Sequence, residues 1–420
     1  MPDTDHPSAP TPQPPLRRSL TLARVTYYGL GNIIGAGIYV LIGTVAAHAG
    51  YQTPLAFLLA SLLAAFTALS YAELSARFPY SAGEVMYVQQ GLGRRALARL
   101  TGILISLAGI VSAAAIARGF TGYLQVLVAV PEPLAIALLV SALGALALWG
   151  ITQSVTVASL MTVAEIAGLL LILWVARPDG ATLLHTLALQ ASPMSGLAHH
   201  GLMAGAFLAF YAFLGFEDMV NIAEEVQDPQ RNLPRAILLT LGLSTLLYCA
   251  VALVAVSATT PARLAAADAP LAFLYAQARG TSPVLITVLS LIAVINGALI
   301  QIIMVSRVCY GMGSRGWAPS WLARVHPVTR TPVHATGLVA ALVLLMALWF
   351  PLEDLARATS YCILLVFVLV NLSLWRIKRR AAETYRGFAV PAWVPATGAA
   401  GTALFIAWQF AGRLGPAAGP

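Results

Sequence analysis

The stretch GLGNIIGAGI, residues 29–38, decides how this chain folds. It places four glycines inside one long apolar segment. Glycine in a helix interior costs about 1 kcal/mol relative to alanine, so the pattern favours either close packing between helices or an interrupted helix. An interruption at mid-membrane frees N–H and C=O groups that can hold a polar solute. We interpret the segment Gly35–Gly37 as such an interruption.

A second stretch of the same kind is YAFLGFED, residues 211–218. Gly215 lies in the middle of an apolar segment and is followed by Glu217 and Asp218. Charged residues inside a membrane are costly and usually functional. The two stretches fall in the first and sixth predicted spans, which a five-plus-five inverted repeat would place in corresponding positions. Interrupted helices in that relation are typical of a transporter's binding site.

The composition indicates that this protein lies in a lipid bilayer rather than in water. Of the 420 residues, 59% are hydrophobic and only 10% are charged, against about 25% charged in soluble domains. Several apolar stretches exceed the ~20 residues that a helix needs to cross a bilayer, which excludes a soluble enzyme. We predict an all-α polytopic membrane protein with eleven transmembrane helices. The predicted spans are residues 25–47, 54–76, 98–124, 133–151, 156–176, 202–226, 234–257, 283–307, 334–350, 355–376 and 391–412, with the break between the fourth and fifth best marked by Thr152, Gln153 and Ser154.

The net charge of +8 does not indicate a nucleic-acid partner, because the basic residues cluster in short connections between spans. Eighteen of the 24 Lys and Arg residues fall on the side of the N-terminus, which predicts that this side is cytoplasmic. These residues are Arg17, Arg18, Arg24, Arg77, Arg94, Arg95, Arg99, Arg231, Arg235, Arg307, Arg315, Arg324, Arg330, Arg376, Lys378, Arg379, Arg380 and Arg386. An odd number of spans then places the C-terminus outside.

The chain divides into three predicted regions. Residues 1–20 hold six of the 25 prolines and predict a disordered cytoplasmic tail. Residues 21–376 form the transporter core, with spans one to five and six to ten as the two repeats. Residues 377–420 add one span and a C-terminal tail. Within the core, Leu264, Leu271 and Leu274 follow a rough helical stripe in the outer loop. We favour a plain connection for this loop over the alternative of a helix on the membrane surface.

Three motifs in combination make the chain recognisable. GNIIGAGIY (31–39), FLGFE (213–217) and EEVQDPQRNLPR (224–235) resemble the amino acid–polyamine–organocation (APC) superfamily of permeases. IIMVSR (302–307) and the segment 326–332 look like the same family's eighth span and inner loop. The resemblance covers residues 20 to 376. It implies the inverted-repeat fold of the leucine transporter and amino acid transport across the cell membrane.

The resemblance also implies a substrate site at the two breaks. Backbone N–H groups near Ala36, Gly37 and Ile38 hold the substrate carboxylate in such permeases, which fits the positive end of a half-helix. Carbonyl oxygens hold the α-amino group, here at Ile33, Tyr211 and Leu214, and Tyr211 matches an aromatic gate position. We expect Asn296, midway along span eight, either to contact the substrate side chain or to join two helices by a hydrogen bond.

Three acids inside the predicted spans are candidates for coupling or gating: Glu165, Glu217 and Asp218. Glu165 lies midway along span five without a basic residue in that span, so a carboxyl group there is protonated or finds a partner. Relatives often carry a lysine at this position, so the family's coupling ion does not carry over. Glu217 matches the family's glutamate after the break and either couples protons or locks the hinge. Asp218 is expected in a wetter part of the same cavity.

The sequence carries no motif typical of a catalytic, nucleotide-binding or metal-binding site. It has no phosphate loop, no paired Cys or His ligands and no nucleophile with a base. We therefore predict neither an enzyme nor a cofactor or metal site, and the twin breaks disfavour a channel. The predicted partners are an amino acid, the lipid bilayer and protons as the candidate coupling ion. Symport with protons and exchange of one amino acid for another both remain open.

Overall fold

A computed structural model describes residues 18–191, 196–267, 269–380 and 385–414. The predicted disordered tail lies outside these residues except for its last three. Helices account for nearly all of the described chain, as the composition predicts. Their order and lengths decide where the two glycine-rich stretches meet.

The first predicted span consists of two helices, α1 (Leu22–Ala36) and α2 (Ile38–Ala49), separated at Gly37. A short 3₁₀ turn (Gly50–Gln52) leads into the long helix α3 (Thr53–Arg77). Just before α1, the amide groups of Ser19 and Leu20 both donate to the carbonyl oxygen of Glu225, at 3.0 Å. The start of the core is therefore tied to the segment that follows the second break.

Four helices complete the first half. They are α4 (Gly83–Leu92), α5 (Arg95–Leu127), α6 (Glu132–Trp149) and α7 (Ile151–Val175). Helix α4 was not predicted, because ten residues with a charge and two glutamines resemble a connection. The break between α6 and α7 lies at Gly150, two residues before the predicted Thr152. Gly150 has φ +154°, which a side chain would disfavour.

The second half begins with α8 (Gly180–Ala191) and α9 (Gly196–Tyr211). After five non-helical residues the chain forms a 3₁₀ helix, Glu217–Glu225, and then α10 (Pro229–Ala258). Two short helices follow, α11 (Pro261–Ala265) and α12 (Pro270–Arg279). Leu264, Leu271 and Leu274 are at most 2% exposed, so these helices turn their apolar stripe onto the protein. The stripe is helical and is buried against the protein, which fits the plain connection that we favoured over a helix on the membrane surface.

The remaining helices are α13 (Val284–Ser314), α14 (Val333–Trp349), α15 (Leu352–Arg380) and α16 (Trp393–Leu414). Helix α13 extends seven residues beyond the predicted end of span eight. Arg307, which we assigned to a cytoplasmic connection, is therefore a fully buried residue of α13. The predicted boundary after residue 376 falls inside α15 rather than in a linker.

Seven helical segments of the described chain are long and apolar enough to cross a membrane. Eleven spans were predicted, and the four that do not qualify have a physical reason. The first and sixth spans are each divided by a break, so their halves are too short. Helix α14 has 17 residues, and the apolar part of α16, Trp393–Ala407, is likewise short.

Helix α1 lies at the centre of the helix packing, in contact with α7, α10 and α13. Small residues permit the close approach. A β-carbon added at Gly35 would lie 2.7 Å from the carbonyl oxygen of Ala293 in α13, far inside van der Waals contact. Gly35 therefore serves helix–helix packing, the use of small residues that we weighed against an interruption. The interruption itself lies two residues further on.

Candidate functional site

The first break is at Gly37, where the backbone turns out of helical geometry with φ −78° and ψ −94°. Its N–H donates to the carbonyl oxygen of Ile34 at 3.2 Å and closes α1. The first N–H groups of α2 have no acceptor within their own helix. Glycine is required here by close approach, since a β-carbon would lie 2.7 Å from the Ile33 carbonyl oxygen and 2.9 Å from that of Ala212.

The second break follows α9 and is centred on Gly215, which has φ +128°. This region of backbone space is open to glycine and strained for other residues. The amide of Gly215 donates to Oε2 of Glu217 at 2.8 Å, so the acid stabilises the unwound segment. This local hydrogen bond fits the hinge-locking role, one of the two alternatives that we gave for Glu217.

The hydroxyl group of Tyr248, on α10, joins the two breaks. It lies 2.7 Å from the Ile33 carbonyl oxygen and 3.2 Å from that of Ala212. It also interacts with the backbone of Ile38 at the start of α2. The Tyr248 ring is fully buried and packs against Phe57 and Phe213, with centroids 5.6 and 5.1 Å away. A single side chain thus contacts α1, α2 and the segment after α9.

A polar cluster of Asn32, Asp218 and Gln301 connects α1, the 3₁₀ helix and α13. Asn32 donates from Nδ2 to Oδ2 of Asp218 at 2.5 Å and to the carbonyl oxygen of Gly215 at 3.0 Å. Gln301 donates to the same Asp218 oxygen at 2.7 Å and to Oδ1 of Asn32 at 3.2 Å. Asp218 is 1% exposed, so it lies inside this cluster rather than in the wetter position that we expected.

The polar cluster opens onto a cavity between the two breaks. Seven of the predicted site residues line it, and they come from both glycine-rich stretches. These residues are Ile33, Gly37, Tyr211, Leu214, Gly215, Glu217 and Asp218. Gly35, Ile38, Asn296 and Glu165 lie outside this lining, and the side chain of Ala36 is outside the described residues.

The sequence reasoning missed the part of the lining that comes from other helices. Helix α5 contributes Ser112 and Ile116, α13 contributes Gln301, and α15 contributes Thr359 and Ile363. A signal for Gln301 was present, because it is one of only two side-chain amides, with Asn296, in the apolar segment 284–305. The residues of α5 and α15 are small or apolar and carry no such signal.

Glu165 has a partner that its own span does not provide. Asn296 of α13 donates from Nδ2 to Oε1 of Glu165 at 2.7 Å and to the Thr162 hydroxyl at 3.0 Å. Both residues are fully buried. Of the two outcomes that we expected for this carboxyl group, it is the partner that the structure shows, 131 positions away in sequence. Asn296 forms the hydrogen bond between helices that we had weighed against a substrate contact.

Two ion pairs lie beyond the cavity, at the ends of α13 and the 3₁₀ helix. Arg307 pairs with Glu225 through two contacts of 3.2 Å, with both side chains fully buried. Arg315 pairs with Glu224 at 3.2 Å, and Glu224 also accepts from the Ser81 amide at 3.1 Å. Arg231 and Arg235 are closer to these acids along the chain, but neither ion pair uses them.

A central polar cavity between two interrupted helices, inside a bundle of apolar helices, defines a polytopic membrane permease. Residues 20–420 match the family model described as amino acid permease, and the chain belongs to this family. It is therefore a transporter of amino acids or related solutes and not an enzyme.

Individual relatives cover nearly the whole chain. The branched-chain amino acid permease of Bacillus subtilis is 28% identical over 90% of this chain and 84% of its own. The methylthioribose transporter of the same organism is 29% identical over 91% and 86%, respectively. An uncharacterized transporter of Mycobacterium tuberculosis is 32% identical over 85% and 80%.

Proposed function

We propose that this protein is a secondary active transporter that carries amino acids across the cell membrane by alternating access. The observation that supports this most directly is the cavity, lined by Gly37 of the first break and Gly215 of the second.

We propose further that α1–α7 and α9–α15 contain five-plus-five inverted repeats. With α16 they would make eleven spans, with the N-terminus in the cytoplasm. A reporter fused after residue 420 should then be active only on the outer side.

The helix ends around the cavity suit a zwitterion. The first N–H groups of α2 have no acceptor within their own helix, and the start of α2 carries the positive end of a helix dipole, which favours a carboxylate. The ends of α1 and α9 present carbonyl oxygens at Ile33 and Tyr211, which favour an ammonium group. The Ile33 oxygen already accepts from Tyr248 and the Tyr211 oxygen from the Leu214 amide at 3.2 Å. Each carbonyl oxygen has two lone pairs, so one remains for the substrate.

Apolar side chains complete the cavity beside these polar groups. Leu214, Ile116 and Ile363 line it together with the Tyr211 ring. Oδ2 of Asp218 accepts hydrogen bonds from both Asn32 and Gln301. This environment suits an amino acid with an uncharged side chain better than a cationic one, because the nearest carboxylate is already hydrogen-bonded.

We propose protons as the coupling ion, with Glu165 as the group that binds them. Asn296 donates to Oε1 of Glu165, whereas Oε2 and the Asn296 carbonyl oxygen Oδ1 have no partner within the described residues. One proton on Oε2 would serve both atoms. Helix α7 contacts α1, and the Tyr39 hydroxyl of α2 donates to the Glu165 carbonyl oxygen at 2.6 Å. The protonation state of Glu165 can therefore act on both halves of the broken helix.

Uptake into proteoliposomes tests substrate and coupling together. Empty vesicles with an imposed inward proton gradient should accumulate one or a few of the twenty amino acids, without substrate inside. Uptake that occurs only in vesicles preloaded with amino acid would identify an exchanger and contradict symport. Uptake of methylthioribose with no amino acid transported would contradict the proposed substrate class.

A further inference from the structure

A second buried carboxyl–amide pair lies outside the cavity. Glu84 is on the short helix α4, and Asn221 is on the 3₁₀ helix that follows the second break. Nδ2 of Asn221 donates to Oε1 of Glu84 at 3.2 Å. Both side chains are fully buried, and neither residue belongs to the cavity lining.

The remaining oxygen atoms of this pair are without partners. Within the described chain, Oε2 of Glu84 and Oδ1 of Asn221 make no hydrogen bond. Both atoms are acceptors, and burying an acceptor without a donor is costly. A carboxylic acid and a carboxamide can close a ring of two hydrogen bonds, N–H to O and O–H to O. The first bond is present, and a proton on Oε2 would supply the second.

The neighbours of Glu84 do not supply a positive charge in place of that proton. Tyr71 of α3 and Tyr87 of α4 lie within electrostatic range of its carboxyl group, and their buried hydroxyls make no hydrogen bond in the described structure. Asp218 of the 3₁₀ helix adds negative charge nearby.

The arginines of the surrounding elements are engaged elsewhere or exposed. Arg307 of α13 is paired with Glu225, and Arg315, which directly follows α13, is paired with Glu224. Arg380 of α15 reaches the far end of α4, where it donates to the Gly91 carbonyl oxygen at 3.4 Å. Arg95 and Arg99 of α5 are exposed. A cation that could neutralise Glu84 is therefore missing from the described surroundings.

We propose that Glu84 and Asn221 form a proton-binding site, in which a neutral Glu84 closes a cyclic acid–amide pair and anchors the 3₁₀ helix to α4. Loss of the proton leaves two facing acceptors and places a negative charge beside Asp218 and Glu217. This weakens the attachment of the segment that carries the second break. The proposal holds whether or not Glu165 couples transport to protons.

The position of α4 makes this site distinct from the acids in the spans. Helix α4 is a ten-residue connection between α3 and α5 and is not among the candidate spans. Burial, together with the charge of Asp218, raises the pKa of Glu84 to about 8. The site would then bind and release its proton in the physiological range.

Infrared difference spectroscopy of the purified full-length protein tests the proposal directly. The spectrum of wild type should contain the carbonyl band of a protonated carboxyl group that disappears as the pH rises through about 8. Glu84→Gln should lose one such band, because its amide replaces the acid in the same ring. Glu132→Gln is the matched control, since Glu132 is an exposed acid paired with Arg118 at 3.0 Å. That control should keep every band.

A second variant covers the case in which Glu84→Gln fails to fold. Asn221→Leu removes the amide, so the carboxyl band should move to higher frequency as its carbonyl group loses the hydrogen bond. A spectrum of Glu84→Gln that matches wild type at every pH would overturn the proposal. So would a carboxylate signal from Glu84 that persists at low pH and changes only when sodium is added, because the ligand would then be a cation.

Discussion

The Tyr248 hydroxyl oxygen lies 2.7 Å from the carbonyl oxygen of Ile33, the carbonyl that precedes the first break by four residues. The same hydroxyl reaches the Ala212 carbonyl oxygen of the second break, at 3.2 Å. The two breaks lie more than 170 positions apart in the chain, yet one side chain on α10 contacts both. Any movement that separates the two broken helices must therefore break at least one of these two contacts of the Tyr248 hydroxyl.

Tyr248→Phe should reduce transport several-fold while the protein still folds. The ring keeps its packing against Phe57 and Phe213, and the lost hydrogen bond is worth about 0.5–1.5 kcal/mol. Uptake rates in proteoliposomes and the melting temperature measure the two effects separately. Tyr27→Phe, at a tyrosine that is 38% exposed, is the control and should transport normally. Wild-type uptake by Tyr248→Phe would show that the link between the breaks has no role.

Gly37→Val should abolish substrate binding while the protein still inserts in the membrane. Even the first side-chain carbon would lie 2.9 Å from the Ala212 carbonyl oxygen, so the two breaks must move apart. Gly242→Ala on α10 is the control, because a β-carbon there meets nothing within 4 Å. Ligand-induced thermal stabilisation measures binding. Undiminished stabilisation of Gly37→Val would contradict the position that we assign to the substrate.

The two breaks could be predicted from the sequence because each is encoded locally. Glycines at Gly37 and Gly215 are costly in a helix, and the chain interrupts the helix at both. Gly35 lies in the same stretch, yet it packs against α13. Sequence spacing alone does not distinguish a glycine that interrupts a helix from one that lets a second helix pack closely. The position of the second helix makes the difference, and the sequence does not give it.

Partners from distant parts of the chain could not be predicted. Glu165 looked isolated because Asn296 lies on a helix far along the chain. Glu225 likewise binds Arg307, which is 82 positions away. A buried charge finds the partner that the packing supplies, whatever the separation along the chain. Helices α5 and α15 line the cavity with residues such as Ser112 and Thr359. These small side chains do not stand out in the sequence as cavity residues.

Glu165→Gln should leave substrate binding intact and make uptake insensitive to an imposed proton gradient. A glutamine can keep the hydrogen bond from Asn296 and supply a donor in place of the proton, so the packing of α7 on α13 survives. Uptake measured across a pH series with and without a gradient reports the change. An unchanged pH profile with normal accumulation would make Glu165 structural, and Glu217 would then be the leading candidate for coupling.

Glu84→Gln should alter the pH dependence of stability in a defined window. A free glutamate titrates near pH ~4.3, and Glu84 in the folded protein has a pKa of about 8. Between these values the folded state retains a proton that the unfolded state has released, so the stability of wild type falls as the pH rises. Above a pH of about 8 this loss of stability is complete. The melting temperature of the variant relative to wild type should therefore rise across this window and level off beyond it. A constant difference at every pH would contradict the assignment.

The central claim is that the helix ends at Gly37 and Gly215 recognise both charged groups of an amino acid. Competition against uptake of a transported amino acid measures this directly, with two analogues that have the same side chain. One is the amine without the carboxylate, and the other is the N-acetylated acid. We predict that neither the amine nor the N-acetylated acid competes at concentrations where the unlabelled amino acid abolishes uptake, because each lacks one of the two charges. Competition by the amine as strong as that by the amino acid itself would contradict carboxylate binding at the start of α2, and with it the position of the substrate between the two breaks.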